Sequence, residues 1–245
     1  MTDYTVNYKV IPDIHELAEY FAGLFVKRCN SLLKEKNNIF IALSGGHTPK
    51  LYLDKLSEDK FAGKVPWQKI HFFWVDERML PPSDYGSNYK MIKEIFLDKI
   101  TIPEENIHRI KGEFVPQLEV KRYGDEVINN VGKKRNSQPE FDWILLGMGS
   151  DGHTASIFPG IELKDIYQNI TAISKNPDTG QTRITLTDEI INNADNATFI
   201  ISGSDKAEKV YEILKGNKEN FPAGRINPLS GSLEFLLDGD AAKLL

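Results

Sequence analysis

The sequence predicts a doubly wound, mostly parallel, open α/β sheet of the Rossmann-like kind, with helices on both faces. Short apolar runs of strand length recur along the chain, and amphipathic helical patterns lie between them. Buried parallel strands read as continuous apolar runs, and strand–helix alternation is typical of such a sheet. Ligands of these folds bind beyond the carboxyl ends of the strands, so we expect function in the loops that follow them.

The predicted elements follow in chain order. An amphipathic helix is predicted over residues 13–36, with Asp13 and Glu16 as a capping pair. Buried strands are predicted at 39–43, 70–75, 143–146 and 197–201, and further helices at 87–99, 118–131 and 205–214. Because no repeat or low-complexity tract divides the pattern, we expect a single domain over residues 1–245.

Composition narrows the class of ligand. The chain has 245 residues, of which 40% are hydrophobic, enough for one sizeable core without disulfides or metal. Its one cysteine, Cys29, cannot form an intrachain bridge, and neither an export signal nor an apolar stretch of membrane-span length is apparent, so we expect a cytoplasmic protein without a membrane partner. A net charge of −5 argues against nucleic acid. A small polar ligand is favoured, and the oligomeric state stays open.

The loop after the first predicted strand reads SGGHTP at positions 44–49. Thr48 is placed as an N-cap, with the proline after it as the first helical residue. Gly45 and Gly46 allow backbone N–H groups to approach an anion, and the hydroxyls of Ser44 and Thr48 add donors in front of a helix N-terminus. The pattern indicates a phosphate cradle. A tight strand-to-helix turn is the alternative, because the lysine of a P-loop is missing.

Three charges, Asp76, Glu77 and Arg78, follow the second predicted strand directly and open a loop that leads to the next helix. An acid beside an arginine can orient a base or a hydroxyl, while the guanidinium offers donors to an oxyanion or a phosphate. A solvated salt-bridge cluster is the alternative interpretation.

The third loop, GMGSDGHTASIFPG, places Gly147, Gly149 and Gly152 at the spacing of a dinucleotide-binding fingerprint. We reject that interpretation because a Pro-Gly pair at 159–160 interrupts the long helix that the fingerprint needs, and because Asp151 would lie close to the pyrophosphate.

The glycines instead allow a turn that presents His153 at the open edge of the sheet. An imidazole titrates near neutral pH, as a general base should, and the carboxylate of Asp151 or of Asp76 could orient it. No second histidine or cysteine stands at ligand spacing, so no metal is expected.

Two cations are candidates for an anionic ligand, with a solvated surface charge as the alternative interpretation of each. Arg183 opens the alternating segment RITLT, and Lys206 stands at a predicted helix start. A cation there opposes the helix dipole, so local stability does not explain Lys206, whereas an anionic ligand would.

With these residues, the chain resembles the 6-phosphogluconolactonase family from position 44 to the C-terminus. Five blocks carry the resemblance: SGGHTP, the DER-to-SNY stretch at 76–89, GMGSDGHTASIFPG, RITLT, and ISGSDKAEKV followed by PAGRINP. The resemblance implies hydrolysis of 6-phosphoglucono-δ-lactone to 6-phosphogluconate in the oxidative pentose phosphate pathway, with a phosphosugar lactone as partner and without metal or organic cofactor. It implies phosphate binding by Ser44, Gly45, Gly46, Thr48, Arg183 and Lys206, catalysis by His153 as the base, and a reacting end lined by Asp76, Arg78 and Asp151.

Two other functions are compatible with parts of this pattern. Glucosamine-6-phosphate deaminases share this fold and the Asp-Gly-His turn, but their pattern has tyrosine at Arg78 and a catalytic glutamate at Phe158. Because phenylalanine cannot transfer protons, the sequence argues against that chemistry. A sugar-phosphate-sensing module is the second alternative, and nothing in the sequence indicates the DNA-binding helix-turn-helix that usually accompanies one.

Overall fold

The computed structural model describes residues 7–135, 137–229 and 231–245, and its centre is a seven-stranded sheet. In chain order the strands are β1 (Asn7–Ile11), β2 (Ile39–Leu43), β3 (Ile70–Trp74), β4 (Asp76–Arg78), β5 (Ile107–His108), β6 (Lys133–Arg135), β7 (Gln138–Pro139), β8 (Trp143–Leu146), β9 (Lys164–Tyr167), β10 (Thr171–Lys175), β11 (Thr182–Leu186), β12 (Asn196–Ile201) and β13 (Ser232–Asp238). The α-helices are α1 (Ile14–Leu32), α2 (His47–Leu56), α3 (Asp59–Ala62), α4 (Asn88–Ile95), α5 (Pro116–Val131), α6 (Asp188–Asn192), α7 (Ala207–Lys215) and α8 (Pro222–Arg225).

The predicted parallel α/β sheet is confirmed. The large sheet has the order β1-β13-β12-β8-β2-β3-β5, and each neighbouring pair is parallel. The four predicted strands are β2, β3, β8 and β12, and the helices predicted at 118–131 and 205–214 are α5 and α7. All four residues of β8 are buried. Since successive side chains point to opposite faces, both faces of the central strands are covered.

The direction in which the chain adds strands reverses between β2 and β8. After β2 the chain places β3 and β5 on one side, and it then places β8, β12 and β13 on the other. Such a reversal leaves a crevice beyond the carboxyl ends of the two strands, because their following loops diverge. The Ser44 hydroxyl donates to the Leu145 carbonyl at 2.9 Å across this junction. The SGGHTP loop and the glycine-rich loop therefore meet at the reversal.

A second, antiparallel sheet in the order β4-β11-β10-β9 was not predicted. The charged triplet expected to open a loop is its edge strand β4, and RITLT lies in β11. A strand is recognised in a sequence by alternating apolar and polar residues. A run of three charged residues is too short and too polar to show that pattern. Register pairs Arg78 with Arg183 and Asp76 with Thr185.

Two helix boundaries differ from the prediction. The helix expected over 13–36 is α1, which Asp13 caps by accepting two backbone N–H bonds, but it ends at Leu32 in a turn. The helix expected over 87–99 divides into α4 and a short 3-10 turn at Leu97–Lys99, because the residue between them leaves the helical region with φ −137°. None of the helices in the described ranges combines the length and apolar composition needed to cross a bilayer.

Aromatic side chains attach α1 to the sheet. The Phe21 ring lies 4.4 Å from that of Tyr52 on α2, and the Phe25 ring lies 5.6 Å from that of Trp143 on β8. All four side chains are buried. Such offset or tilted aromatic pairs add about 0.5–1.5 kcal/mol each beyond the burial of their area. This core lies beneath the crevice and fixes the strands from which its loops depart.

A histidine pair on the neighbouring strands β3 and β5 predicts a pH-dependent stability. His71 Nδ1 lies 3.0 Å from His108 Nε2, and His108 Nδ1 lies 2.6 Å from Glu126 Oε1. Burial, and next the neighbouring His108, lower the pKa of His71 below its ordinary value of 6.5. The unfolded chain then binds more protons in the window below pH 6.5, so the free energy of unfolding falls as pH falls through it.

We expect His71→Gln to weaken this pH dependence, measured by urea unfolding at pH 7.5 and 5.5. The exposed His15 is the control, because His15→Gln should leave the wild-type difference between the two pH values unchanged. An equal difference in wild type and His71→Gln would contradict the assignment.

Candidate active site

A cavity of about 560 Å³ lies at the carboxyl ends of β2, β8 and β12 and is bordered by β4 and β11. Nine of the ten predicted site residues line it: Ser44, Gly45, Gly46, Thr48, Asp76, Arg78, His153, Arg183 and Lys206. Asp151 lies behind His153 rather than in the cavity wall. The five segments singled out in the sequence therefore converge on one space large enough for a small ligand.

The histidine turn pairs an imidazole with a carboxylate. His153 Nδ1 lies 2.6 Å from Asp151 Oδ1, which also accepts the backbone N–H of His153 at 3.1 Å. A proton on Nδ1 that is donated to the carboxylate leaves Nε2 as the basic nitrogen. The sequence left Asp76 and Asp151 as alternative partners. Asp151 is the one within hydrogen-bond distance, whereas Asp76 Oδ2 accepts a hydrogen bond from Ser156 at 2.6 Å.

Glycines make this turn possible. The turn is closed by a bond from Gly149 N–H to the His153 carbonyl and by one from Gly152 N–H to the Gly149 carbonyl. Gly152 has φ +85°, a conformation that side chains rarely adopt. A Cβ on Gly149 would lie 2.2 Å from His153 Nδ1 and 2.5 Å from Asp151 Oδ1. No helix begins between Gly147 and Lys164, which agrees with the rejection of a dinucleotide fingerprint.

The SGGHTP loop differs from the prediction in its hydroxyl groups. Helix α2 begins at His47 after Gly46, which has φ +119°, and no side chain caps it, so the prediction of Thr48 as N-cap was wrong. Thr48 Oγ1 instead lies 2.7 Å from Ser202 Oγ. The Ser44 hydroxyl is not a free donor, because its one hydrogen goes to the Leu145 carbonyl. The Thr48–Ser202 pair needs only one of its two hydrogens and keeps one for a ligand.

Two arginines stand side by side in the cavity wall. Arg78 and Arg183 are direct cross-strand partners, an arrangement that is destabilising for like charges. Burial lowers the pKa of Arg183 from its ordinary value, and the charge of Arg78 acts in the same direction. Among the described residues, Nε of each guanidinium is buried without a hydrogen-bond partner. Both guanidinium groups line the cavity, so an anion there would neutralise the pair.

Alternation along β4 divides the charged triplet. Asp76 and Arg78 share the face toward the cavity, while Glu77 points to the opposite face and is buried. Glu77 accepts hydrogen bonds from three backbone N–H groups and from the Ser87 hydroxyl, which fixes the start of α4. Burial raises the pKa of Glu77. In the described ranges, no three His, Cys, Asp or Glu side chains are grouped to hold a metal ion.

Lys206 approaches the cavity from the β12 side, apart from the arginine pair. It ends a 3-10 turn, Ser204–Lys206, that precedes α7, and its Nζ contacts Asp205 Oδ2. The sequence did not indicate a partner for the Lys206 side chain. In the structure that partner is the adjacent residue, Asp205. The turn is held by Asp238, whose carboxylate accepts the Gly203 N–H at 3.1 Å. Because Asp205 is largely exposed, its pairing with Lys206 is weak enough for a ligand to compete.

Sequence reasoning missed three residues of the site. Ser202 carries a recognisable signal, because Ser-Gly directly follows both β2 and β12. Asn88 supports the cavity floor by donating to the Asp76 carbonyl at 3.1 Å, and a Cβ on Gly45 would collide with it. Ser156 gave no local signal, because its partner Asp76 is 80 residues distant in the chain.

Comparison with known proteins identifies the family of the chain. The profile of the family described as glucosamine-6-phosphate isomerases/6-phosphogluconolactonase matches residues 12–235. The chain belongs to this family. One relative is a protein from Aggregatibacter actinomycetemcomitans that is named 6-phosphogluconolactonase. It is 41% identical to this chain over 243 residues, which cover 98% of this chain and 100% of the relative.

Solved structures of the family share the fold. The crystal structure of a protein named devB has a TM-score of 0.90 at 35% identity and covers 98% of this chain and 100% of its own. The 6-phosphogluconolactonase of Thermotoga maritima has a TM-score of 0.79 at 30% identity, with 95% and 99% covered. The family resemblance predicted from the five sequence blocks is thus confirmed.

Proposed function

We propose that the protein hydrolyses 6-phosphoglucono-δ-lactone to 6-phosphogluconate in the oxidative pentose phosphate pathway, the activity for which the relative from Aggregatibacter is named. The observation that carries the proposal is the position of the His153–Asp151 pair at a cavity that also holds two adjacent arginines. A base beside fixed anion donors suits attack of water on an ester carbonyl in an anionic substrate.

The phosphate end would use donors of both loops at the strand reversal. Gly45 and Gly46 bring backbone N–H groups to the start of α2, and the hydroxyl pair of Thr48 and Ser202 offers one further donor. Lys206 and Arg183 would add charge-assisted bonds from two sides of the cavity. Ser44 would contribute through its backbone, since its hydroxyl is engaged. Held in this way, the lactone carbonyl is placed near His153.

At the reacting end, Nε2 of His153 would take a proton from water as the water oxygen bonds to the carbonyl carbon. Asp151 stabilises the imidazolium that forms, and Arg78 donates to the developing oxyanion. The bond from that carbon to the ring oxygen then breaks, and the ring oxygen receives the proton from His153. General base catalysis of this kind is worth roughly 10²–10⁴ in rate. A lactone is an activated ester, so water suffices as the nucleophile.

Deaminase chemistry lacks its proton-transfer group here. Phe158 is 2% exposed, and its ring centroid lies 4.8 Å from that of His153. A carboxylate is absent at the position where the deaminase pattern has its catalytic glutamate, and the position of its tyrosine is taken by Arg78. The phenyl ring can pack against the imidazole but cannot transfer a proton.

The proposal predicts a strong preference for the phosphorylated lactone. Freshly made 6-phosphogluconolactone, glucono-δ-lactone and glucosamine 6-phosphate would be supplied to the purified protein, and acid release or ammonia release would be followed. We expect kcat/KM for the phosphorylated lactone to exceed that for glucono-δ-lactone by at least about 100-fold, because two charge-assisted contacts to phosphate are worth roughly 3 kcal/mol together.

Each alternative gives a distinct outcome of the same assay. Ammonia from glucosamine 6-phosphate would identify a deaminase. Binding of sugar phosphates without turnover would identify a sensing module. Equal rates on the two lactones would reject the phosphate site but retain the hydrolase.

A further inference from the structure

Ser156 connects three elements of the site. It is fully buried, and its Oγ donates to Asp76 Oδ2 at 2.6 Å and accepts from Arg183 Nη1 at 3.3 Å. Its backbone N–H donates to Thr185 Oγ1 at 3.2 Å. The loop that follows His153 is thereby tied to β4 and to β11, which carry the two opposed arginines.

The guanidinium of Arg183 contacts the Ser156 hydroxyl and the Asp76 carboxylate, and its contact with the hydroxyl is the shorter of these two. Arg183 Nη1 lies 3.5 Å from Asp76 Oδ2, an ion pair at the outer limit of a hydrogen bond, so Ser156 forms the closer hydrogen bond to the guanidinium and is itself bonded to Asp76. Among the described residues, Arg183 Nε is buried without a partner. One terminal nitrogen is thus anchored, while the guanidinium as a whole still lines the cavity.

The same serine steadies a strained loop. Ala155, which lines the cavity, has φ +52°, a left-handed conformation that costs energy in a residue with a Cβ. Bonds of Thr154 to the Gly147 carbonyl hold the loop on one side of Ala155, and those of Ser156 hold it on the other. Phe158 then fills the space between His153 and Arg183, with Arg183 Cζ 5.6 Å from its ring centroid.

We propose that Ser156 is a positioning residue that holds the Arg183 guanidinium in register with the His153 loop, so that the arginine binds an anionic group of the substrate. That the substrate is the phosphorylated lactone rests on the proposed function. The dependence of anion binding on Ser156 does not.

The matched test compares Ser156→Ala with Ser174→Ala. Ser174 is also buried, lies directly opposite Arg183 on β10, and has a hydroxyl without a partner among the described residues. We expect Ser156→Ala to raise the Kd for inorganic phosphate, measured by calorimetry, by about tenfold, because a hydrogen bond to a charged group is lost. Ser174→Ala should leave the Kd unchanged. In kinetics on the phosphorylated lactone, Ser156→Ala should raise KM about tenfold while kcat changes less than about threefold.

Wild-type Kd and KM in a folded Ser156→Ala protein would overturn the inference, as would an equal loss in both serine variants. If Ser156→Ala does not fold, Ser156→Cys keeps the volume with a weak donor, and the same rise in Kd and KM is expected. Lack of lactone turnover in wild type, with phosphate binding that still depends on Ser156, would reject the proposed function and retain this inference.

Discussion

His153→Ala is expected to lower kcat for 6-phosphogluconolactone hydrolysis by a factor of about 10²–10⁴, because it removes the proposed base while the anion donors remain. Phosphate affinity should be retained, since none of the phosphate contacts proposed for Gly45, Thr48 or Lys206 involves the imidazole. The measurement is steady-state kinetics with the spontaneous hydrolysis of the lactone subtracted, together with the Kd for phosphate.

His47 offers a matched control for this prediction. It lines the same cavity at the start of α2 and has no role in the proposed reaction. His47→Ala should therefore keep kcat within a few-fold of wild type. A His153→Ala enzyme with unchanged kcat would remove His153 as the base, whereas equal losses in both variants would point to a general effect of the cavity wall.

Gly149→Ala is expected to lower kcat/KM by about 100-fold without unfolding the protein, because displacement of a catalytic group by about 1 Å has effects of this size. The added Cβ would come within 2.2 Å of His153 Nδ1 and 2.5 Å of Asp151 Oδ1. Both atoms belong to side chains, so the pair can move aside by rotation while the backbone stays in place. The substitution should then lower activity by displacing the base, and it should leave the stability of the fold nearly unchanged.

Gly147→Ala is the control in the same loop. Among the described residues, no atom lies within 4 Å of a Cβ at this position, and its φ is not in the left-handed region. The two variants differ only in whether the new methyl group meets the His153–Asp151 pair, so Gly147→Ala should be nearly as active as wild type. Thermal unfolding of both proteins should give similar midpoints. Equal activity in the two variants would show that the pair does not need its observed position.

His153→Ala and Gly149→Ala distinguish loss of the base from displacement of the base. His153→Ala removes the group, whereas Gly149→Ala keeps it and moves it. In the double variant the losses should not add, because a displaced group that has also been removed cannot be lost twice. A double variant whose loss equals the product of the two single losses would show that Gly149 acts through something other than His153.

Local patterns were enough to predict four strands of the main sheet, β2, β3, β8 and β12, together with their loops and the histidine turn. The buried strands are continuous apolar runs, and β8 is recognisable from four letters because both of its faces are covered. Asp151 and His153 are two residues apart, so a glycine turn brings them together whatever the rest of the chain does. Side chains this close in sequence are positioned by local backbone geometry.

Strand β4 could not be predicted from local sequence patterns. Its three charged residues have no apolar alternation, and they form a strand only because β11, more than 100 residues later, supplies the partner backbone. The alternation along that strand directs Asp76 and Arg78 to the cavity and Glu77 away from it. A loop assignment could not have made this distinction.

Apolar periodicity, glycine turns and short motifs were enough to predict the fold class and the family, and to propose the loops in which the site lies. Only the tertiary structure decided that Asp151 rather than Asp76 contacts His153, that Arg78 faces Arg183, that Thr48 meets Ser202 across 154 residues of chain, and that Ser156 links Asp76 to Arg183. The physical reason is that crossover connections set the strand order and register, which no local segment encodes. Contacts between loops of different strands exist only once those strands are side by side.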